Sequence, residues 1–272
     1  MAGKGDLHIH STHSDGAAQP AEIARQAVGG GLSFISLTDH NCIEGVEELR
    51  RHLAGTSVRV IDGVEVSADA DGETEIHILG YGVDIGNQAL LAGLAGIVAR
   101  KREQLDRMVA ALRRQGVSIS SDEIPDRGTG YVGRPALARL LLDKGVVRTY
   151  GEAFARFLGV EGSVYGPLGG MGPAECIELI HQAGGLAVLG HPSMGLLDGW
   201  VIRLAQAGLD GMEVYRPNSG GNEELYAEMV ARDFGLVATA GSDWHGRPSE
   251  CPLGTFTVDA DRLAEFFARF NA

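Results

Sequence analysis

The chain has 272 residues, 44% hydrophobic and 22% charged, an ordinary balance for a soluble globular protein with room for a sizeable core. Its formal net charge of −13 argues against a protein that grips long nucleic acid through a broad basic face. Met1 runs straight into Asp6-Leu7-His8 with no basic stretch and apolar core of a leader. No apolar run reaches the ~20 residues that span a bilayer. Three widely spaced cysteines (Cys42, Cys176, Cys251) suit a reducing cytoplasm better than a disulfide framework or a thiolate zinc site.

Short apolar strands alternate with amphipathic helices. Residues 7–9 read as a first strand and 20–28 as a helix, with Pro20 in its first turn and Gly29 to Gly31 at its end. Strands follow at 34–37, 58–61, 64–66 and 76–81. Beyond about Gly86 the alternation breaks: 90–114 is a long helical pattern closed by Gly116, and 134–143 and 149–158 are two more helices. It resumes with helix 173–183, strand 186–189, helix 199–207, strand 211–214, helix 222–233 and strand 236–240. Such alternation predicts parallel strands with crossover helices, an α/β fold. The simplest organisation is a barrel built from residues 1–85 and 171–272, with a mostly helical insertion over 86–170 that contributes to a substrate pocket.

Ligand-type residues fall at the strand ends. His8 and His10 are two apart, so on a strand they share a face, and Asp15 follows. Thr38-Asp39-His40 closes the second strand, the end at which functional side chains gather in α/β barrels. Glu65 and His77 lie in the next strands, His191 in Gly190-His191-Pro192, and Asp243 and His245 in Gly241-Ser242-Asp243-Trp244-His245. Imidazole and carboxylate suit zinc, manganese and iron. Nine donors exceed a single four-coordinate site and suit two or three divalent ions sharing a bridging carboxylate, as in a multinuclear metallohydrolase. His13 sits on a turn, and His52 and His181 sit in helical patterns as ordinary surface residues.

Taken in order, His-x-His, Ser-Asp-Gly, Thr-Asp-His, Gly-Val-Glu, His, Gly-His-Pro and Gly-Ser-Asp-x-His resemble the polymerase and histidinol phosphatase (PHP) family over nearly the whole chain. The resemblance implies a distorted barrel of about seven βα units holding two or three ions, usually manganese, zinc or iron. On matching positions, His8, His10, Glu65 and Asp243 would hold one ion. Glu65 would bridge to a second, held also by His77 and His191, and Asp15, His40 and His245 would hold a third. Gly133-Arg134-Pro135, opening a helix, is similar to the branch that cleaves nucleotide or RNA-end phosphates, in which the arginine binds phosphate. The physics agrees, because a guanidinium offers a fork to phosphate oxygens and a helix N-terminus adds backbone donors. Of Arg100, Lys101 and Arg102, three consecutive helical positions that cannot all face one site, Arg102 is expected to reach the substrate. The chain departs from the branch at Ala136 and Asn41, and Arg216 also sits near the expected pocket.

The resulting expectation is a metal-dependent phosphoesterase of small nucleotides such as nucleoside 3′,5′-bisphosphates. A metal-bridging hydroxide would attack phosphorus, Arg134 would orient the phosphate, and Asp243 or His191 would pass a proton to the leaving oxygen. Exonuclease action on short 5′-phosphorylated RNA comes next, then histidinol phosphate. A carbon–nitrogen hydrolase of the amidohydrolase kind would not need Asp15, His40 and His245. A non-catalytic metal-stabilised domain would not need all nine donors.

Overall fold

The computed structural model describes residues 3–72, 74–124, 133–166, 169–217 and 219–270. Its strands are β1 (Lys4–Ile9), β2 (Phe34–Leu37), β3 (Arg59–Asp69), β4 (Glu75–Tyr81), β5 (Leu186–Leu189), β6 (Gly211–Tyr215), β7 (Val237–Ala240) and the short β8 (Val258–Asp259). They form one sheet in the order β7-β6-β5-β4-β3-β2-β1-β8. The sheet curls until the chain just past β7 meets β1: His10 N–H donates to the Trp244 carbonyl at 2.8 Å, and Trp244 N–H donates to the His8 carbonyl at 3.3 Å. The result is a nearly closed barrel whose central strands are buried along most of their length, as a sheet covered on both faces requires.

Two features differ from the sequence expectation. Strands 58–61 and 64–66 are one continuous strand, β3. Gly63 between them is no turn: a Cβ there would lie 2.2 Å from Ser36 Oγ, so the glycine lets β2 and β3 approach. Nor are the strands all parallel, since β4 runs antiparallel to both β3 and β5. The reason is connection length. β3 ends at Asp69 and β4 begins at Glu75, with Ala70 N–H donating to the Thr74 carbonyl at 2.9 Å, whereas parallel neighbours need a crossover of a dozen or more residues. The reversal places His77, near the start of β4, opposite Ser67 on β3, close to Glu65.

The helices are α1 (Pro20–Gly29), α2 (Glu44–Leu53), α3 (Gln88–Arg114), α4 (Arg134–Asp143), α5 (Tyr150–Ala153, continued by a π-turn over Phe154–Leu158), α6 (Pro173–Gln182), α7 (Met194–Gln206), α8 (Gly221–Asp233) and α9 (Ala264–Phe270). Among these α9 had no counterpart in the sequence reading, and α2 was foreshadowed only by the helical pattern around His52. α3 is capped by Asn87, whose side chain accepts from Leu90 N–H at 3.0 Å. Its first half packs Leu90, Leu94 and Ile97 onto the main core beside the sheet. Its second half joins a separate cluster, in which Leu105, Met108 and Leu112 meet Leu137 and Leu141 of α4 with Phe157 and Leu158. One rigid helix therefore fixes α4 relative to the barrel. No helix among the described residues is long and apolar enough to cross a membrane.

Because Leu137 is fully buried in that second cluster, Leu137→Ala should destabilise the protein by about 2–5 kcal/mol, lost transfer energy plus a residual cavity. A shifted urea midpoint at unchanged slope is the expected reading.

Candidate metal centre

The nine donors converge on Glu65, a fully buried carboxylate midway along β3. Its Oε1 lies 2.9 Å from His77 Nδ1, 3.0 Å from His191 Nε2 and 3.5 Å from His8 Nε2. Its Oε2 lies 2.9 Å from His40 Nδ1 and 3.3 Å from His10 Nε2. Asp243 Oδ1 completes one side, 3.1 Å from His10 Nε2 and 3.4 Å from His8 Nε2. On the other side Asp15 Oδ1 stands 3.1 Å from His245 Nε2 and 3.8 Å from both His40 Nε2 and His10 Nδ1. Three sets place their donor atoms within 4.8 Å of one another: His10, Asp15, His40 and His245; His8, His10 and Asp243; His40, Glu65 and His77. His10 and His40 belong to two sets each. A neutral imidazole has one lone pair, so each ring can serve one ion while its other nitrogen donates.

Several observations fit metal. His8 Nε2 and His10 Nε2 face each other at 3.1 Å, and His77 Nδ1 and His191 Nε2 at 3.0 Å. Donors on one ion, each about 2.1 Å from it at tetrahedral or octahedral angles, stand about 3.0–3.4 Å apart. His10 Nδ1, Asp15 Oδ1 and Glu65 Oε2 are buried with no well-formed hydrogen bond among the described residues. The charge state points the same way. Burial opposes protonation of His8, yet Glu213, Glu65 and Asp243 draw it well above the ordinary imidazole range. His77 rises to about 10 against its own burial, through Glu65 and Glu75. His10 falls to about 4 because it is buried and faces His245 and His40. The carboxylates thus demand positive charge, which divalent ions would supply.

Local structure explains how each donor is aimed. At the end of β1 the two-residue period, carried one residue past Ile9, points His8 and His10 the same way. The loop carrying Asp15 folds back through Ser14 and Gly16 N–H groups donating to the Ser11 carbonyl. Buried Asp39 braces it, accepting from Ser11 N–H at 2.7 Å, Ser11 Oγ at 2.6 Å and Ser14 Oγ at 2.5 Å. At the ends of β2, β5 and β7, Asn41, His191 and Asp243 adopt positive φ of 50°, 28° and 53°. Asn, His and Asp tolerate this region best among non-glycine residues, and such strain gathers at functional sites. Asn41 also ties β3, accepting from Ser67 N–H at 2.8 Å and donating to Ser67 Oγ at 3.0 Å. Arg216 donates to the Pro192 carbonyl at 3.0 Å and steadies the His191 loop.

The sequence reading missed the acceptors behind the rings. Glu213 on β6 is fully buried, with Oε1 3.1 Å from His8 Nδ1 and Oε2 accepting His191 N–H at 2.7 Å. Glu75 Oε1 is 3.1 Å from His77 Nε2, and the Asp243 carbonyl is 2.8 Å from His245 Nδ1. Each holds one ring nitrogen so that the other faces the cluster, as outer partners of metal-binding histidines do. A lone acid inside Gly-Met-Glu-Val-Tyr and an acid two residues before His77 were the available signals.

Arg134 opens α4, with Nη2 3.4 Å from Glu75 Oε2. Arg102 is exposed and lines a groove with Ile43, Glu44 and Leu91. At about 100° per residue the helix instead turns Lys101 inward, where its Nζ meets Glu75 Oε1 at 2.6 Å. A cleft of about 580 Å³ is lined by Asp15, by Pro135, Ala136 and Arg139 of α4, and by Tyr150 and Arg247. Within it Asp15 Oδ2 lies 3.3 Å from Arg247 Nη2. Asp243 and His191 are the most solvent-accessible of the nine donors, with 42% and 33% of their side chains exposed.

The sequence pattern of the PHP domain matches residues 6–169. The chain belongs to the PHP domain family. Among PHP relatives it is 32% identical to a 5′-3′ exoribonuclease of Haemophilus influenzae over 250 residues, covering 90% of this chain and 91% of that protein. It is also 32% identical to a 3′,5′-nucleoside bisphosphate phosphatase of Chromobacterium violaceum over 253 residues, 88% of this chain and 86% of the other. A Bifidobacterium adolescentis structure assigned as a metal-dependent phosphoesterase superposes with a TM-score of 0.79 at 28% identity, over 97% of this chain and 96% of that one. This PHP chain is therefore a phosphoesterase, a metal-dependent hydrolase of phosphate esters.

Glu213→Gln should keep the fold, because the shape is unchanged, yet weaken metal binding by about 10- to 100-fold through His8 and His191. Chelator competition beside a thermal melt of the metal-free protein separates the two effects.

Proposed function

We propose that this phosphoesterase hydrolyses phosphate monoesters of small nucleotides, such as nucleoside 3′,5′-bisphosphates, using two or three divalent ions of manganese, zinc or iron. The observation that carries the reading is the placement of Arg134. It stands at a helix N-terminus, joined through Glu75 to His77, beside the carboxylate Glu65 and the eight other donors of the cluster.

In this reading His8, His10, Glu65 and Asp243 hold one ion, Glu65 with His77 and His191 a second, and Asp15, His40 and His245 a third. Ions bound there would lower the pKa of water toward 7 and neutralise phosphoryl oxygens. The chain's own groups do the rest. Arg134 grips the non-bridging oxygens with a planar fork and orients phosphorus. Asp243 and His191, the members open to solvent, hold or pass the proton that the leaving oxygen needs. Residues 86–170 act as a helical insertion that supplies Arg134 and one wall of the cleft. A second reading, removal of nucleotides from short 5′-phosphorylated RNA, is favoured by the volume of the cleft, about 580 Å³, which exceeds what one phosphate fills.

A panel of nucleoside bisphosphates, mononucleotides, sugar phosphates and short 5′-phosphorylated RNAs, assayed with manganese, tests the proposal. Preference for a sugar phosphate over every nucleotide would overturn it. Elemental analysis should find two to three ions per chain. Glu65→Gln should abolish turnover more completely than loss of any terminal donor, because one carboxylate holds two ions in register. Wild-type turnover with normal metal content would remove Glu65 from the centre.

Arg134→Ala should keep its metals and lose about 10²-fold in kcat/KM on phosphate esters, roughly 3 kcal/mol for a charge-assisted clamp. Arg134→Lys should recover only part, since an ammonium cannot form the fork. Metal loss or unfolding without a kinetic defect would make Arg134 structural.

A further inference from the structure

A buried lysine beside the site has no part in the chemistry above. Lys101 projects from α3 with 10% of its side chain exposed, and its Nζ sits 2.6 Å from Glu75 Oε1. Burying an ammonium is costly, and a buried ion pair is weak evidence of stabilisation, since an apolar residue often does as well. Ile97, Leu105 and Met108 near it on the helix are buried and apolar, and the one other buried polar residue of α3, Gln104, donates to the Gly166 carbonyl at 2.7 Å. The pair calls for another reason.

Glu75 serves three groups unequally. Its Oε1 takes both His77 Nε2 at 3.1 Å and Lys101 Nζ at 2.6 Å, while Oε2 reaches Arg134 Nη2 at only 3.4 Å. The other hydrogen bond of Arg134, Nη1 to the Leu158 carbonyl at 3.5 Å, is just as long, and its guanidinium lies 5.5 Å from the Tyr165 ring. Among the described residues Arg134 is thus kept near the site by long contacts and is not closed onto a partner. A carboxylate and a guanidinium normally close into a bidentate pair. Here one of the two oxygens is already taken twice.

We propose that Lys101 occupies Glu75 so that the Arg134 fork stays open to a phosphate group, which makes Lys101 a positioning residue for anion binding. The inference rests on the reading of Arg134 as the phosphate clamp. Glu75 cannot simply be dispensed with, because His77 needs an acceptor at Nε2 to present Nδ1 to Glu65. The acceptor that fixes the ring would also capture the arginine, and the lysine offsets that capture. A compact ammonium on a flexible stem can fill one carboxylate oxygen without covering the other.

The test uses the metal-loaded protein and reads binding of inorganic phosphate by calorimetry together with KM and kcat on a phosphate monoester. Lys101→Met should weaken phosphate binding and raise KM about tenfold, with kcat falling far less, as Arg134 closes onto Glu75. Adding Glu75→Gln to Lys101→Met should restore phosphate binding to within about threefold of wild type, because a Gln oxygen still accepts from His77 but does not capture a guanidinium. Glu75→Gln alone should tighten phosphate. A double variant as weak as Lys101→Met would mean that Lys101 touches phosphate itself or only supports the fold, and would overturn the proposal, as would an unchanged Lys101→Met. If Lys101→Met does not fold, Glu75→Gln alone decides: tighter phosphate supports the proposal, weaker phosphate overturns it. Unaltered phosphate binding by Arg134→Ala would instead sink the reading of the clamp itself.

Discussion

Everything in this molecule is arranged around one carboxylate without access to water. Glu65 has five imidazoles within 3.5 Å of its two oxygens. An unpaired carboxylate so deeply buried would be far too costly, so its surroundings must supply charge and donors. Those surroundings come from β1, from the ends of β2 and β5, and from β4. A flat sheet could not bring β1 and β5 to one point on β3. The curl that joins the chain past β7 to β1 and the reversal of β4 are therefore conditions of the site as much as of the core.

Around the nine donors lies a ring of further buried acids, each holding a loop or a ring nitrogen. Asp6 accepts from Ser242 N–H at 2.9 Å, Ser242 Oγ at 2.5 Å and His8 N–H at 3.1 Å, so it fixes both ends of the β1–β7 seam. Burial lifts its carboxyl to about 6 even against these donors. Asp39, Glu75 and Glu213 play the same part elsewhere. The three residues at positive φ are held between such anchors, which is what lets a strained backbone of about 1–3 kcal/mol per residue persist. Gly241 shows how tight the packing is: a Cβ there would stand 2.1 Å from that of His8 and 2.6 Å from Glu213 Oε1.

The sequence revealed what is local. His-x-His, Thr-Asp-His and Ser-Asp-x-His carry their geometry in a two-residue period or a strand end, and helix α4 was legible from its proline and its glycine to the residue. What depends on register was not legible. Glu213 lies 205 positions from His8, and nothing in the chain announces that β6 would set it beneath β1. Lys101 and Arg102 differ by one helical step, a phase that only packing fixes. The direction of β4 was written in the five residues after Asp69, too few for a crossover, but the surrounding βα rhythm masked it. His13, on a turn in the sequence, turned to Glu48 at 3.1 Å and away from the cluster.

The electrostatics reconcile an acidic chain with an anionic substrate. At physiological salt a charge is felt over about 8 Å, so a net −13 spread over the surface does not set the potential inside a cleft. Arg139 and Arg247 line it, Arg134 is close enough to act on its Tyr150, and the ions called for by Glu65, Asp15 and Asp243 would add to them. A long polyanion must lie across the acidic exterior as well as the cleft, and each phosphate outside meets repulsion without a partner. A short phosphorylated molecule meets only the cleft. A charge distribution that looks hostile to phosphate as a sum is compatible with phosphate when taken locally.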